Sequence, residues 1–444
     1  MYLLYSAISL VFFVVVSPYF LYQAIRYKKY IGNLRERLGY LPVSFNVDAE
    51  PSIWIHAVSV GEALTARALA ADLKSRYPRL KLFLSTTTMA GQQVARSSLR
   101  HLVDGVFYFP FDWTFIVRRT LNLVRPRLFI MMETEIWPNL LHECRRRGIR
   151  TAMINGRIST RSYPRYKLVR PLFRRVLADV DRFCMQSEES AHRLRALGAE
   201  PSRVTVTGSL KFDSLEVPAS AAHGKPRERV LRFFRISTHR TVLVAGSTMR
   251  GEESAVLRAF AKIKATQTHA VCILAPRRPE RFDEVERLAR DAGFVTARRS
   301  ELPIDAEPRA DVVVLDSIGE LAQVYQLATV VFVGGSLVDH GGHNILEPAI
   351  FGKPIVFGPH MQNFREIAET FVANGAAIQV AADRDLDDVI LGLVRDPVHR
   401  ASLGAAARAL VEANRGAKDK TLGVIADLLP PDEGGVVRPF RRVH

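Results

Sequence analysis

The feature that most constrains the fold is an alternation of short apolar runs, rich in β-branched residues, with segments of helical periodicity. Continuous apolar runs between helices are typical of parallel strands buried on both faces. The pattern therefore predicts an α/β protein built on parallel sheets. The predicted strands cover residues 53–58, 81–87, 105–110, 128–133, 151–155, 182–187, 204–208, 241–247, 269–276, 312–317, 329–336 and 354–359.

The alternation is interrupted by residues 217–230, which are rich in Pro, Ala and charged side chains and are typical of a linker. We predict two Rossmann-like domains that face each other across a cleft, with ligands bound beyond the carboxyl ends of the strands. The predicted segments are an N-terminal anchor 1–25, a first domain 26–216, a linker 217–235, a second domain 236–425 and a tail 426–444.

The N-terminus carries no charged side chain from Met1 to Ile25, and Arg26, Lys28 and Lys29 follow directly. An apolar helix of this length suits a hydrocarbon layer of about 30 Å, and positive flanks remain in the cytoplasm. We therefore predict an uncleaved membrane anchor with the rest of the chain on the cytoplasmic side. A cleaved signal peptide would need positive charges before the apolar run. Whether the anchor spans the bilayer or lies partly in the interface stays open.

The net charge of +17 is unevenly distributed. Residues 1–220 contain 32 Lys and Arg against 17 Asp and Glu, a net charge of +15, which leaves +2 for the remainder. A basic surface of this kind attracts phosphates on lipid or on nucleic acid. No nucleic-acid-binding module is recognisable, so a nucleic-acid partner is disfavoured.

In the second half, polar side chains follow three predicted strands. Glycine-rich turns let backbone amides approach a phosphate, arginine binds carboxylate or phosphate, and a carboxylate accepts hydrogen bonds from ribose hydroxyls. These loops predict a site for a nucleotide-activated donor. The candidate donor-binding residues are Ser247, Thr248, Arg277, Gly335, Ser336, Asn344 and Glu347. His340 and His343 lack a third ligand nearby, so we predict no metal.

In the first half, polar side chains likewise follow the strands. Ser59, Gly61 and Glu62 open a helix, Glu133 and Glu135 end another strand, and Arg157 follows a third. The charged string Arg35-Glu-Arg-Leu-Gly-Tyr40 precedes the first strand and is too short to form a core.

Together these strings resemble the Kdo (3-deoxy-octulosonic acid) transferase family of the GT-B fold, from the anchor to about residue 425. The matching strings are ERLG, WIHAVSVGE, ETEIWPN, NGRIS, GSLKFD, AGST, APR, GGS…GGHN…LEP and GPHMQNF. The chain departs from the family at Met249, Arg278 and Ile345, where the family often has His, His and Pro.

The resemblance implies transfer of Kdo from CMP-Kdo to a lipid A precursor at the cytoplasmic face of the bacterial inner membrane, with phospholipids as further partners. It implies inversion by direct displacement, without a cofactor. It also implies that Glu36 is the catalytic base, with Glu135 as a second catalytic candidate, and that Ser59, Gly61, Glu62 and Arg157 bind the acceptor. The sequence predicts no protein partner. The closest alternative is a GT-B enzyme that uses a UDP-sugar and a lipid-linked acceptor.

Overall fold

The computed structural model describes residues 2–27, 34–160, 162–213, 240–302, 309–317 and 319–429. The chain divides into two compact units, residues 1–214 with 415–444 and residues 215–414. Each unit contains a seven-stranded parallel sheet. The predicted linker 217–235 and residues 430–444 lie outside the described residues. The predicted cleft between the domains stays a prediction.

The first unit contains the sheet order β3-β2-β1-β4-β5-β6-β7. Its strands are β1 Ser52–His56, β2 Lys81–Thr86, β3 Gly105–Tyr108, β4 Pro126–Met132, β5 Arg150–Gly156, β6 Arg182–Met185 and β7 Val204–Val206. Its helices are α1 Tyr2–Tyr27, α2 Leu34–Arg37, α3 Val60–Arg76, α4 Met89–Ser98, α5 Thr114–Val124, α6 Pro138–Arg146, α7 Tyr163–Leu168, α8 Arg170–Leu177 and α9 Glu188–Leu197.

Alternate residues of the central strands of this sheet pack on opposite faces, as the apolar runs predicted. Ile53 and Ile55 join one buried cluster with helix α3, whereas Trp54 joins the other with helices α5 and α6. Both faces are covered, so the strands need apolar residues at every position. Strand order reverses between β1 and β4, and a reversal of this kind opens a crevice at the carboxyl edge of a parallel sheet.

The second unit contains the sheet order β10-β11-β9-β8-β12-β13-β14, which reverses between β8 and β12. Its strands are β8 Val242–Thr248, β9 Val271–Pro276, β10 Thr296–Arg298, β11 Val312–Val314, β12 Val330–Val333, β13 Ile355–Phe357 and β14 Ile378–Gln379. Its helices are α10 Glu253–Thr266, α11 Phe282–Asp291, α12 Leu321–Val324, α13 Leu346–Ala349, α14 Arg365–Ala373, α15 Leu386–Arg395 and α16 Pro397–Ala413.

The final helix, α17 (Ala417–Leu428), packs on the first unit, although the sequence predicted a second domain that extends to residue 425. Ala417, Leu422 and Ile425 enter the same buried cluster as Ile53. The carboxylate of Asp213 accepts hydrogen bonds from the amides of Gly416 and Lys418. Burial of this apolar face, together with the capping carboxylate, accounts for the different boundary.

The predicted anchor coincides with helix α1, whose bounds are Tyr2–Tyr27. Within the part of the chain that the structure describes, no helix meets the length and hydropathy needed to cross a membrane. The predicted anchor is therefore not confirmed. Lys28 and Lys29 lie outside the described residues.

Candidate functional site

Glu36 lies at the carboxyl edge of the first sheet, next to the end of strand β3. Its Oε2 accepts a hydrogen bond from the amide of Tyr108 at 3.0 Å, and its Oε1 lies 3.7 Å from Nη2 of Arg96. The following residue, Arg37, donates to the carbonyl of Thr87, which follows strand β2. These contacts hold helix α2 against two strand ends, with the Glu36 side chain 18% exposed. The carboxylate is therefore fixed through one oxygen and still reaches solvent.

Ser59, Gly61 and Glu62 form the first turn of helix α3. Ser59 is its N-cap and donates its hydroxyl to Glu62 Oε1 at 2.9 Å, while the amide of Val58 donates to Oε2 at 2.8 Å. Burial and the nearby charge of Glu133 raise the pKa of the Glu62 carboxyl to about 7. Ser59 and Glu62 thus bind each other, as in a capping box.

Glu133 and Glu135 follow strand β4, and their charges act on the carboxyl of Glu62. Glu133 adopts a left-handed backbone with φ of 54°, which is uncommon for a side chain other than glycine. Its Oε1 lies 4.0 Å from Nζ of Lys211. Glu135 Oε2 accepts a hydrogen bond from Nε1 of Trp137 at 3.1 Å. The structure therefore brings three carboxylates together at the reversal point of the first sheet.

Arg157, the remaining predicted acceptor residue, follows strand β5 at the same edge. Its carbonyl oxygen accepts a hydrogen bond from the hydroxyl of Thr134, which lies between the two carboxylates. The loop after β4 is thereby tied to the loop after β5. His56 at the end of β1 also belongs to this edge, and its ring lies 3.7 Å from Glu135. The sequence reasoning missed His56, although its place at a strand end before Ser59 was a usable signal.

Four of the residues that follow the second-unit strands come together. Asn344 donates to Glu347 Oε1 at 3.1 Å, and the charge of Arg277 acts on both Glu347 and His343. Burial raises the pKa of the Glu347 carboxyl. Burial and the charges of Arg277 and His340 lower the pKa of His343 to about 4, so its imidazole is neutral near pH 7. This arrangement offers a cation, an amide and a carboxylate to one ligand.

The amides of the predicted glycine loop are already bonded within the chain. The carboxylate of Glu252 accepts hydrogen bonds at 2.7–2.9 Å from the amides of Met249, Gly335, Ser336 and Leu337. The hydroxyl of Ser336 donates to the carbonyl of Val333 and accepts from the amide of Gly358. Glu252 thus accepts hydrogen bonds from backbone amides that we predicted to bind a phosphate. The sequence reasoning missed this role, because no spacing pattern joins Glu252 to a loop 83 residues later.

Gly335 remains a position that only glycine fits. Its φ is +67°, and an added Cβ would lie 2.8 Å from the ring of His343. Ser247 has a φ of 56°, and Thr248 is buried, with its carbonyl accepting from the amide of Arg277 at 3.0 Å. These contacts place the end of β8 against the start of the loop after β9. The donor-binding role of Ser247 and Thr248 stays a prediction.

No group of three or more His, Cys, Asp or Glu side chains that could hold a metal ion occurs among the described residues. Each unit thus presents carboxylates and cations at the carboxyl edge of a parallel sheet, an arrangement suited to binding sugars and nucleotides. Two such α/β units are typical of glycosyltransferases with a GT-B-like fold.

Comparisons with known proteins agree with this class. Residues 32–214 match the family described as 3-deoxy-D-manno-octulosonic-acid transferase (kdotransferase), and residues 254–410 match glycosyl transferases group 1. The 3-deoxy-D-manno-octulosonic acid transferase of Haemophilus influenzae is 33% identical over 92% of this chain and 93% of its own length. The corresponding protein of Bordetella pertussis is 34% identical over 85% of this chain and 87% of its own length. The chain therefore belongs to the 3-deoxy-D-manno-octulosonic acid transferase family.

The fold is also similar to that of a solved structure of another class. The UDP-GlcNAc 2-epimerase of Neisseria meningitidis superposes with a TM-score of 0.56, at 12% identity, over 85% of this chain and all of that chain. At this level of identity the similarity concerns the fold of two parallel-sheet units alone.

Proposed function

We propose that this glycosyltransferase moves a Kdo residue from CMP-Kdo to the lipid A precursor lipid IVA, in the biosynthesis of lipopolysaccharide. The observation that carries the proposal is similarity to Kdo transferases over 92% of the chain. The carboxylates at the edge of the first sheet and the cation and carboxylate cluster of the second unit support it. Neither a cofactor nor a metal ion is part of the proposal.

The second unit binds the donor in this proposal. Arg277 supplies a guanidinium for the phosphate of CMP or the carboxylate of Kdo, since arginine pairs with either anion. Glu347, held by Asn344 at 3.1 Å, accepts hydrogen bonds from hydroxyls of the ribose. Because the amides of Gly335 and Ser336 are bonded to Glu252, the proposed phosphate contacts shift toward Arg277 and the adjoining loop.

The first unit binds the acceptor and supplies the base. Glu36 takes the proton from the attacking hydroxyl of the lipid as that oxygen bonds to the anomeric carbon and CMP leaves, so the configuration inverts. One oxygen of Glu36 is bonded to the amide of Tyr108, which orients the carboxylate for this transfer. A positioned general base of this kind contributes about 10²–10⁴-fold to the rate.

The proposal is tested by mass spectrometry of a tetraacylated lipid A precursor after incubation with the full-length enzyme and CMP-Kdo. We expect the precursor to gain the mass of Kdo. Parallel reactions with UDP-sugars address the alternative donor. Modification of the lipid by a UDP-sugar, with none by CMP-Kdo, would overturn the proposal.

We further propose that helix α1 attaches the protein to the bacterial inner membrane, with both units on the cytoplasmic face. Polar and aromatic side chains of α1 contact the rest of the first unit. Ser6 accepts from Asn139 at 2.9 Å, Ser9 accepts from Nε1 of Trp113 at 3.1 Å, and Phe13 packs edge-on against Trp113. Six large apolar side chains of α1 are each at least 60% exposed to solvent: Leu4, Ile8, Val11, Phe12, Val14 and Val15.

A helix that turns polar groups toward the protein and apolar groups outward fits a lipid surface. Anionic phospholipids also suit the net charge of +15 in residues 1–220. Co-sedimentation with vesicles tests this: we expect Ile8→Asp with Val15→Asp to lower the bound fraction. We expect a protein lacking residues 1–25 to bind anionic vesicles in a salt-sensitive way. Vesicle binding unchanged by the substitutions and indifferent to salt and anionic lipid would contradict the proposal.

A further inference from the structure

The charges of Glu133 and Glu135 act on the carboxyl of Glu62 where strand order reverses in the first sheet, and we name these three side chains the carboxylate pocket. Glu62 is almost fully buried, whereas the side chains of Glu133 and Glu135 are 27% and 24% exposed. The pocket therefore combines one buried carboxyl with two that reach solvent, which we call the front carboxylates. Its two front carboxylates are accessible to a ligand.

His56 lies behind Glu135 and is fully buried. Phe109 stacks on its ring with the centroids 3.9 Å apart. Its Nδ1 lies 3.0 Å from Oγ and 3.2 Å from the carbonyl oxygen of Ser85, and the same Oγ accepts from Nε1 of Trp54 at 2.7 Å. In the tautomer with its proton on Nε2, the His56 imidazole accepts a hydrogen bond from the Ser85 hydroxyl through Nδ1.

Nε2 of His56 finds no hydrogen-bond partner among the described residues, and it lies 3.7 Å from Oε2 of Glu135. Burying an N–H group without a hydrogen-bond partner costs free energy, and the adjacent carboxylate offsets part of that cost. The indole N–H of Trp137 donates to the same oxygen at 3.1 Å. In this tautomer the N–H groups of His56 and Trp137 both face Oε2, and the hydrogen bond from Trp137 holds the Glu135 carboxylate.

The chemistry of the pocket selects its ligand. Ionised carboxylates only accept hydrogen bonds, so they attract hydroxyl and ammonium groups and repel phosphate. The cation of Lys211 lies 4.0 Å from Glu133 and offsets part of the negative charge. An acidic pocket within a basic half of the chain is therefore unsuited to the phosphates of a lipid headgroup and suited to its sugar.

We propose that the carboxylate pocket binds the hydroxylated sugar ring of the acceptor through Glu133 and Glu135, and that His56 is a positioning residue that orients Glu135. The inference rests on the proposed function, in which the acceptor is a lipid with a phosphorylated sugar headgroup. It assigns that headgroup two kinds of contact. Carboxylates bind its ring, and basic side chains elsewhere bind its phosphates.

The test uses the full-length protein in detergent, without donor. A water-soluble headgroup sugar of the acceptor, prepared free of phosphate and acyl chains, is titrated by calorimetry. We expect binding that weakens roughly ten- to a hundredfold in Glu133→Gln and Glu135→Gln, because the charged acceptor of a hydrogen bond becomes a neutral amide oxygen. Glu189→Gln is the matched control, since that carboxylate is 71% exposed and pairs with Arg193 on helix α9.

Two further variants separate positioning from folding. His56→Gln keeps an N–H donor near the place of Nε2 and should retain most of the affinity, whereas His56→Leu should lose it while CMP affinity stays unchanged. If His56→Leu does not fold, sugar binding by Glu133→Gln and Glu135→Gln still tests the proposal, because each of these side chains is about a quarter exposed.

The proposal is overturned if the phosphate-free sugar does not bind, if Glu133→Gln and Glu135→Gln bind it as the wild type does, or if inorganic phosphate displaces it. Equal affinity in His56→Gln and His56→Leu overturns the positioning role. The titration contains no transfer step. Sugar binding without Kdo transfer would therefore contradict the proposed function and leave this inference standing.

Discussion

Glu36 is the residue on which the proposed chemistry depends most. Glu36→Gln keeps an oxygen that can accept from the amide of Tyr108 and removes the base, so we expect turnover to fall about 10²–10⁴-fold. Donor affinity and the thermal midpoint should change little. Steady-state kinetics with CMP-Kdo and lipid acceptor check this, with Glu189→Gln as control. Near-normal turnover in Glu36→Gln would contradict the assignment of Glu36 as the general base, and Glu135 would be the next residue to test.

Arg277 and Arg278 provide a matched pair for the donor site. Arg277 acts electrostatically on Glu347 and His343, whereas Arg278 is 59% exposed and lies 3.9 Å from Glu280. We expect Arg277→Ala to weaken CMP binding roughly ten- to a hundredfold, since it removes a charged hydrogen-bond donor. Arg278→Ala should have little effect. Calorimetry with CMP measures both variants, and unchanged affinity in Arg277→Ala would contradict the donor assignment.

At the scale of single elements, helix α17 shows how a short capping contact influences a domain boundary. Asp213 accepts from the amides of Gly416 and Lys418, at the positive end of the helix. We expect Asp213→Ala to lower the free energy of unfolding by about 1–2 kcal/mol, while CMP affinity stays unchanged.

Denaturant melts followed by circular dichroism measure that change. Asp427→Asn, near the carboxyl end of α17, is the control, because a negative charge there does not complement the helix dipole. Equal unfolding midpoints for wild type and Asp213→Ala would show that the apolar face of α17 alone holds the helix in place.

At the scale of the whole molecule, buried carboxyls couple stability to pH. The pKa of Glu62 and that of Asp112 are each raised to about 7, in both cases first by burial. Each unfolded carboxyl loses its proton near pH 4, so between about pH 4 and 7 the unfolded state binds fewer protons than the folded state. The free energy of unfolding therefore falls as pH rises through this window.

For Glu62 this loss amounts to at most about 3 kcal/mol. Glu62→Gln has no titrating proton, so we expect its free energy of unfolding to depend less steeply on pH between 4 and 7. Urea melts of both proteins across this range provide the measurement. Parallel pH profiles of wild type and Glu62→Gln would contradict the raised pKa.

The sequence by itself determined the architecture of both units. Apolar runs such as 53–58 and 128–133 lie in strands because a parallel sheet buried on both faces needs apolar side chains at successive positions. Polar residues in the segments that follow such runs lie at the carboxyl edge of the sheet, which explains why Glu62, Glu135, Arg277 and Glu347 were found as candidates. The family resemblance rests on short contiguous strings of residues, so it too could be found from the sequence. The comparisons with known proteins confirm it.

Only the tertiary structure decided which of these polar groups bond to one another. The amides of Gly335 and Ser336 are taken by Glu252, His56 lies behind Glu135, and α17 packs on the first unit. The short edge strands β10 and β14 were also missed. Each of these features depends on contacts between residues distant in sequence, which hydrophobic periodicity and strand-end motifs do not encode, because those signals are local.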